Sequence, residues 1–569
     1  MATLTDIHDL IDAQLRLPVS APKIYILGDT GAGKSTVLQH ILGTKKQAFP
    51  SALKRRTTVA ITEYVIDKTV PYAACFLLKS AVEVLTSIEE ILEYSQASII
   101  KLIRKDKDVD LKDVIDNLGE SPDQRFRLKY IVSEDVLEIF SVKLIESSIS
   151  GIDNYEVGFE QPFIKELAKN IFDVVQNNLR KSTDLTLTEK QITHLVKYDD
   201  RDSCIDSAKL FLKAGKNSLS PLVSYARIQG GFGADWLPEN SSFVIIDGEG
   251  IGHDIKESAI LSARHLDYFR ICDAIVVAEG AGKPFAAGGR SAIQGVIENG
   301  YVENLYLMMT KLDELIDEDA EEQTGFQDRI QDVKHEFKNL DQALKNSGIE
   351  EDRWLDNVSY IEGLKANDTP EQSVVELNKL VNVIVQRHAQ VREAAKLPVY
   401  DVEMLSVCLE KVSVNFHNEW DQLFRETPWQ SIKAFNFRMA RKEDEYRFLK
   451  PVAQLQKIII TELRPFICYP LKWPIELTAV EKQEGIDTIL RRFSSNVLDV
   501  VRDRILTLVE GRWNEGVVLE GAGSTAKRKI VISKVWDESV PHYRDDQAIE
   551  FKDQIKQALI ASLKGYGVS

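Results

Sequence analysis

The sequence is poor in cysteine and has no long apolar run. Its five cysteines, at positions 75, 204, 272, 408 and 468, form no CxxC pair and no cluster with histidines, which argues against a disulfide framework or a zinc site. No run of about 18 apolar residues occurs, and the N-terminus carries acidic residues where a signal peptide would carry basic ones. We therefore expect neither a membrane span nor a signal peptide, and a cytoplasmic location.

Positive charge is also in deficit. The chain has 71 Lys and Arg against 88 Asp and Glu, a net charge of −17. Such a sequence lacks the basic surface of a dedicated nucleic-acid-binding protein, so no nucleic acid partner is expected. Its 569 residues exceed what one compact core accommodates, and we expect about two to four folding units.

Glycine is present but unevenly spread. Twelve glycines lie from Gly230 to Gly300, whereas only four lie from Pro71 to Gly215. In the glycine-poor stretch, apolar residues recur every three or four positions, as in Leu85, Ile88 and Leu92. This spacing predicts helices.

Elsewhere, short apolar runs alternate with helical patterns, which is typical of a wound α/β sheet. We expect a discontinuous α/β domain of residues 1–70 and 219–396. An all-α insertion is predicted at 71–218, and a mainly α-helical C-terminal region at 397–569.

A glycine-rich segment, GDTGAGKS, fits the phosphate-binding pattern GxxxxGK[ST] between a predicted strand and a predicted helix. Its glycines let backbone N–H groups turn inward around phosphate oxygens, its lysine reaches the terminal phosphates, and its serine hydroxyl suits Mg²⁺. The predicted nucleotide contacts are Gly28, Asp29, Gly31, Ala32, Gly33, Lys34, Ser35 and Thr36. Ser35 is also a predicted metal ligand. The alternative is a turn that binds nothing.

Two further motifs follow apolar strands. In DGEG, Asp247 would hold Mg²⁺ through a water molecule. The backbone amide of Gly250 would donate to a γ-phosphate. In TKLD, which is Thr310 to Asp313, the Asp313 carboxylate would accept hydrogen bonds from guanine while the stem of Lys311 lies along the base. Adenine presents an acceptor at that position and is disfavoured. A strand-end turn and a helix cap are the alternative interpretations.

Four motifs occur in the order GDTGAGKS, RRTT, DGEG and TKLD. This set resembles that of the TRAFAC-class P-loop GTPases and is most similar to the septin, AIG1-like and dynamin-like branch. The resemblance implies an α/β P-loop GTPase domain with a wound, mainly parallel sheet. It implies catalytic roles for Lys34, Gly250 and Thr58. Thr58, or its neighbour Thr57, would be the first-switch magnesium ligand, and Ser359 is a candidate for the final base-contacting loop. The insertion and the C-terminal region resemble no family.

The sequence departs from the Ras-like pattern after DGEG. There, Ras-like relatives have a glutamine that orients the attacking water, whereas this chain has Ile251, which has no hydrogen-bonding group. His253 is the nearest polar substitute, and Arg55, Arg56 or Arg290 are candidates to stabilise the transferring phosphoryl group. Each of these four side chains also fits an ordinary solvated role. The glycine-rich segment from Gly280 to Arg290 is either a contact loop or a flexible surface loop.

The leading hypothesis is a GTP-binding protein that hydrolyses GTP to GDP and phosphate with Mg²⁺, as a molecular switch or an assembly-stimulated GTPase. We expect a homodimer or a higher assembly and a protein partner bound through the helical regions.

Three alternatives stay open. A dynamin-like, membrane-associated mechanochemical GTPase would use the C-terminal helices as a stalk. A non-hydrolysing nucleotide-gated scaffold is motivated by Ile251, and an ATPase or kinase is disfavoured by TKLD. The apolar segment from Pro465 to Ile475 is predicted to be a buried interhelical connection in preference to a membrane-dipping tip.

Overall fold

The protein is described here from a computed structural model. The described residues are 4–18, 21–29, 31–44, 60–105, 107–122, 126–151, 162–238, 241–248, 250–251, 260–315, 325–347, 349, 352–364, 369–389, 398–400, 405–473, 477–521, 523–542 and 547–563.

Among the described residues, nine strands form one sheet in the first two thirds of the chain, in the spatial order β4-β3-β5-β2-β6-β1-β7-β8-β9. The strands are β1 (Lys23–Gly28), β2 (Ile61–Ile66), β3 (Ala73–Leu78), β4 (Ile192–Lys197), β5 (Val223–Gly230), β6 (Phe243–Asp247), β7 (Ala274–Gly280), β8 (Leu305–Thr310) and β9 (Val358–Tyr360). Strands β6, β1, β7, β8 and β9 run parallel to one another. β2 pairs antiparallel with β6 and parallel with β5. The sheet is therefore mixed and mainly parallel, as the strand patterns predicted.

The central strands are apolar on both faces because helices cover both. In β1, Tyr25 and Leu27 belong to one buried cluster, whereas Ile24 and Ile26 belong to another. The first face packs against α1 (Leu4–Asp12), α9 (Ala263–Ile271), α10 (Ala287–Glu298) and α11 (Phe326–Asn346). The second packs against α2 (Lys34–Leu42), α12 (Glu371–Ala389) and helices of the insertion. Continuous apolar strands are typical of a sheet buried in this way.

The predicted all-α insertion is wrong at its two ends. β3 lies between β5 and β4 in the sheet, antiparallel to both, so the segment starts as sheet and returns to it near its end. Between them are α3 (Ala81–Ile103), α4 (Leu111–Leu118), α5 (Leu128–Ile131), α6 (Glu134–Ser150) and α7 (Pro162–Thr183), and α8 (Arg201–Leu212) follows β4. The run AACFLL of β3 has no periodicity that separates a buried strand from a buried helix.

The C-terminal region is helical, as its apolar stripes predicted. It contains α13 (Leu405–Glu426), α14 (Trp429–Ala440), α15 (Pro451–Cys468), α16 (Ala479–Arg502), a π-helical turn (Asp503–Leu508), α17 (Glu510–Val517), α18 (Ser524–Ser539) and α19 (Gln547–Leu563). Short 3₁₀ turns occur earlier in the chain at Ser220–Leu222, Val302–Asn304, Leu312–Glu314 and Arg353–Leu355. None of the described helices is both long enough and apolar enough to cross a membrane.

The segment predicted as a buried interhelical connection is exposed over part of its length. Ile467 is fully buried, but Tyr469 is 83% exposed and Leu471 68% exposed. Val399 pairs with Lys472 across a short antiparallel bridge, which ties this segment to the chain before α13. The prediction of burial therefore holds for Ile467 and is wrong for Tyr469 and Leu471.

Candidate functional site

The loop between β1 and α2 has the shape of a phosphate cradle. Gly31 and Gly33 have φ of 86° and 85°, a left-handed backbone that favours glycine. At Gly28 a Cβ would lie 2.3 Å from the carbonyl oxygen of Ala278 on β7, so only glycine fits between the two strands. The loop ends directly at the N-terminus of α2, where orphan N–H groups and the helix dipole favour an anion.

Lys34 is folded back over this loop. Its ammonium donates to the carbonyl oxygens of Gly28 and Asp29, at 2.6 and 2.9 Å, and only 8% of the residue is exposed. Ser35 and Thr36 are partly buried in the first turn of α2. A lysine held in this way closes the loop on itself and lies where it can meet a terminal phosphate.

The loop contacts the TKLD motif directly. The hydroxyl of Thr310, at the end of β8, donates to the carbonyl oxygen of Ala32 at 2.7 Å. A Cβ on Gly33 would lie 3.1 Å from that hydroxyl oxygen. Two motifs separated by almost three hundred residues thus share one surface at the carboxyl edge of the sheet, where wound α/β folds bind ligands.

The next residues turn sharply away from β8. Lys311 adopts φ 62°, in the left-handed region, and its ammonium lies 3.3 Å from Glu314. Asp313 accepts a hydrogen bond from the backbone N–H of Gly363 at 2.9 Å. The loop after β9 therefore approaches Asp313 through Gly363, while the candidate Ser359 is buried inside β9 opposite Met308. A base-contacting role for Ser359 stays a prediction, and Gly363 is the residue after β9 that bonds Asp313.

Asp247 ends β6, the strand on the other side of β1. It pairs in register with Ile26 of β1 and with Thr62 of β2, and it is 2% exposed. Gly250 is partly buried. The Ile251 side chain is 3% exposed and belongs to the apolar cluster on the first face, so this position contributes to the core.

Sequence reasoning missed a buried carboxyl beside the phosphate loop. Glu279, near the end of β7, is 2% exposed and accepts a hydrogen bond from the backbone N–H of Phe285 at 2.9 Å. Burial raises its pKa to about 8, and the charge of Asp29 adds to the effect. Burial likewise raises the pKa of Asp29. Because Glu279 is neutral below that pH, the cradle carries less negative charge towards a phosphate.

Two adjacent glycines make room for these carboxyls. A Cβ at Gly288 would lie 1.8 Å from Asp29 Oδ1, and one at Gly289 would lie 1.8 Å from Glu279 Oε1. The flexible-loop interpretation of this segment is therefore wrong at its end, since α10 already begins at Ala287. A glutamate closing the apolar strand AIVVAEG, followed by paired glycines, was the available signal.

The residues present fit a magnesium ion. Ser35 and Asp247 offer a hydroxyl and a carboxylate, the hard oxygen ligands that Mg²⁺ prefers, and both belong to elements adjoining the phosphate loop. Lys34 and Thr310 would flank the phosphates. Ser35 and Asp247 thus offer only oxygen ligands, with no nitrogen or sulfur, as Mg²⁺ bound to a nucleotide requires.

Several candidates lie outside the described residues, namely Arg55, Arg56, Thr57, Thr58 and His253. Arg290, in the first turn of α10, is exposed. The candidates for water positioning and for transition-state charge therefore stay predictions.

No family model matches the chain, and no curated protein matches it. Two solved structures of an oligomerised bacterial dynamin pair, described as providing a mechanism for long-range sensing and tethering of membranes, align with it. The first shares 13% identity with a TM-score of 0.32, covering 98% of this chain and 75% of that chain. The second shares 11% identity with a TM-score of 0.29, at the same coverages. Scores this low leave function to be argued from the site.

Proposed function

We propose that this chain binds GTP with Mg²⁺ and hydrolyses it to GDP and phosphate, as a cytoplasmic molecular switch or assembly-stimulated GTPase. One observation carries the proposal: the phosphate loop after β1 contacts Thr310, the first residue of the base-selecting motif after β8. Asp247 ends β6 on the opposite side of β1. The residues proposed for phosphate, metal and base binding thus lie at one edge of the sheet.

In this proposal, GTP phosphates lie in the cradle of Gly28 to Ser35 and accept hydrogen bonds from its backbone N–H groups. Lys34 leaves the loop carbonyls and donates to the terminal phosphates. Ser35 and Asp247 hold Mg²⁺, which supplies positive charge to the phosphate oxygens when bound. Lys34 and the loop amides bear charge that develops as water attacks the γ-phosphorus in line. Thr58 and Gly250 would close on the γ-phosphate.

Base selection would fall to Asp313. Its Oδ1 accepts the backbone N–H of Gly363, which fixes the carboxylate at the end of β8. The side chain is acceptor-only when ionised, so it complements the two donors on the guanine edge and faces a lone pair in adenine.

The state of the nucleotide would reach the C-terminal helices through α9, which follows the DGEG segment. Arg502 of α16 donates to Asp267 of α9 and to Asp444, both at 2.9 Å. Arg270 of α9 pairs with Asp499 of α16 at 2.8 Å. A displacement of the second-switch segment would therefore act directly on α16.

The base assignment is tested by Asp313→Asn. We expect the preference to move from GTP towards xanthosine triphosphate, whose base presents an acceptor where guanine presents its amine. Asp332→Asn, at an exposed position of α11, is the matched control and should bind as the wild type does. A variant that keeps its preference for GTP contradicts the assignment.

Turnover is tested separately by Lys34→Ala. Phosphate release that the wild type shows and this variant lacks supports hydrolysis at the cradle. Binding of a GTP analogue without any release from the wild type, with and without assembly, would favour the nucleotide-gated scaffold.

The membrane-associated alternative has one observation in its favour, the exposure of Tyr469 and Leu471 beyond α15. Two large apolar side chains exposed two positions apart in the chain suit contact with a lipid surface. Sedimentation with liposomes and a nonhydrolysable GTP analogue tests it, with Tyr469→Ser/Leu471→Ser as the comparison. Pelleting that the double variant loses supports membrane contact, whereas no pelleting of the wild type removes this alternative.

A further inference from the structure

A carboxylate and two imidazoles converge in the C-terminal region. His417 lies on α13, Asp537 lies on α18, and His542 lies in the segment after α18. One ligand atom from each residue lies within 4.8 Å of the others. Across the described ranges, this is the one group of three His, Cys, Asp or Glu side chains close enough to share a metal ion.

The hydrogen bond of His417 fixes which nitrogen faces the carboxylate. Its Nε2 lies 2.8 Å from the carbonyl oxygen of Val540, and a carbonyl only accepts, so Nε2 carries the proton. In the neutral ring, Nδ1 then presents a lone pair towards Asp537 Oδ1, 4.0 Å away. A metal ion between Nδ1 and Oδ1 would satisfy both acceptors. A histidine anchored through its far nitrogen to a carbonyl is the usual arrangement of a metal ligand.

The spacing of the three groups suits an ion better than direct hydrogen bonds. Asp537 Oδ1 lies 4.0 Å from His417 Nδ1 and 3.7 Å from His542 Nε2, both beyond hydrogen-bonding distance. A tetrahedral ion with bonds of about 2.0–2.2 Å holds its ligand atoms about 3.3–3.5 Å apart. Rearrangement of the exposed Asp537 and His542 side chains would bring their ligand atoms to these distances.

The positions of the ligands are set by the aromatic core beneath them. Phe416 and Trp536 precede His417 and Asp537, and their rings pack edge to face at 5.4 Å. This contact fixes α13 and α18 side by side. The rings of His417 and His542 stack at 4.2 Å, so the segment after α18 is already folded back over α13. To bind the same ion as His417, the exposed His542 ring has to turn out of this stack, because the lone pairs of two stacked rings lie in separate planes.

We propose that His417, Asp537 and His542 bind one Zn²⁺ ion, with water completing its coordination. Two imidazoles and a carboxylate suit Zn²⁺ and neighbouring divalent transition metals, and disfavour Mg²⁺. The scattered cysteines predicted no zinc site, and these three residues share no sequence motif that would have indicated one. The ion joins α13 to the end of α18 and stabilises that junction against opening. The site is independent of the nucleotide site.

The test is calorimetric titration of the chelator-treated full chain with ZnCl₂. We expect one ion per chain, an affinity at least tenfold lower in His542→Ala and Asp537→Asn, and a rise in Tm that those variants lack. Both residues are more than half exposed, so their replacement leaves the fold intact. His335→Ala, at an exposed position of α11, is the matched control and should bind as the wild type does.

Co²⁺ substitution supplies a second readout. A ligand set of nitrogen and oxygen gives no thiolate charge-transfer band, whereas binding through Cys408 or Cys468 would give one. The proposal is overturned if the wild type binds no Zn²⁺, if the His542 and Asp537 variants bind it unchanged, or if the thiolate band appears.

Discussion

Gly289, in the first turn of α10, lies directly over the buried carboxyl of Glu279, where a Cβ would come within 1.8 Å of Oε1. Glu279 near the end of β7 adjoins the phosphate loop, since β7 pairs with β1 from Ile24 to Gly28. The glycine therefore sets how closely α10 approaches the floor of the proposed nucleotide site. Glycine is required at position 289 for steric reasons and not for backbone conformation, because its φ is not in the left-handed region.

Gly289→Ala should therefore displace α10 or the carboxyl beneath it. We expect a loss of about 1–3 kcal/mol in the free energy of unfolding, the range for overpacking a buried position, together with weaker binding of a GTP analogue. Gly282→Ala is the matched control, because a Cβ at Gly282 meets no atom within 4 Å. Denaturant unfolding and nucleotide titration measure both effects. Equal stability of the two variants would contradict the contact.

The pKa of Glu279 predicts a pH dependence of stability. Burial raises that pKa from its ordinary 4.5 to about 8 in the folded chain, so the folded state holds a proton that the unfolded state has released. Stability from this group is complete below pH 4.5 and is lost as pH rises to about 8, at about 1.4 kcal/mol per pH unit.

Glu279→Gln should remove that slope. The amide cannot ionise, so the free energy of unfolding of the variant should vary less between pH 5 and pH 8 than that of the wild type. Glu138→Gln, on the exposed face of α6, should keep the wild-type slope. Urea unfolding at a series of pH values measures the difference, and parallel curves for the wild type and Glu279→Gln would refute the assignment.

The sequence predicted the parts of the fold that depend on local pattern. The phosphate loop, the apolar strands β1, β6, β7 and β8, and the stripes of α13 and α16 all follow from spacing and from glycine. The strand β3 was not predicted, because a short apolar run fits a strand or a helix equally. The strand β4 was not predicted either. Its residues are partly exposed and include Thr193, His194 and Lys197, so apolar and polar residues alternate only weakly along it.

The contacts that complete the sites could not be predicted in this way. Gly289 with Glu279, Asp313 with Gly363, and His417 with His542 are each brought together by tertiary packing between separate elements. Periodicity reports which face of an element is apolar, but it carries no information on which distant residue covers that face. For this reason, the motif order predicted the edge of the sheet where the site lies, while the neighbours of each side chain required the structure.

Arg502 is predicted to couple α9, which packs on the sheet, to α16 of the C-terminal region. It is 23% exposed and bonds two carboxylates, those of Asp267 and Asp444. Arg502→Gln removes the counter-charge that the two share, and leaves Asp267 with Arg270 at 3.7 Å. We expect a loss of about 1–3 kcal/mol in the free energy of unfolding. Arg512→Gln, which breaks the exposed pairs with Glu515 and Glu538, should change it by less than about 0.5 kcal/mol.

The functional effect of Arg502→Gln should be separable from binding. GTP affinity should stay near that of the wild type, while nucleotide-dependent hydrogen exchange of α16 should diminish, because the variant removes one of the two ion-pair connections from α9 and leaves only Arg270 with Asp499. Exchange in α16 that still responds fully to the GTP analogue would show that the signal takes another route.

Arg227 on β5 is predicted to hold α1 against the sheet. The residue is fully buried, and its guanidinium donates to Glu63 of β2, to Asp12 of α1 and to the carbonyl oxygen of Leu15. Arg227→Met leaves the carboxylate of Glu63, also fully buried, without its counter-charge. We expect a loss of about 3–5 kcal/mol in the free energy of unfolding.

A double-mutant cycle separates the ion pair from packing. Arg227→Met/Glu63→Gln removes both charges, so its loss should be smaller than the sum of the two single losses, by about 1–3 kcal/mol. Arg425→Met, at an exposed position of α13, is the control for the arginine side chain itself and should be nearly neutral. Additive losses in urea unfolding would mean that the pair contributes through packing alone. A positive coupling would show that this ion pair stabilises the pairing of β5 with β2, the strand that follows the predicted first switch.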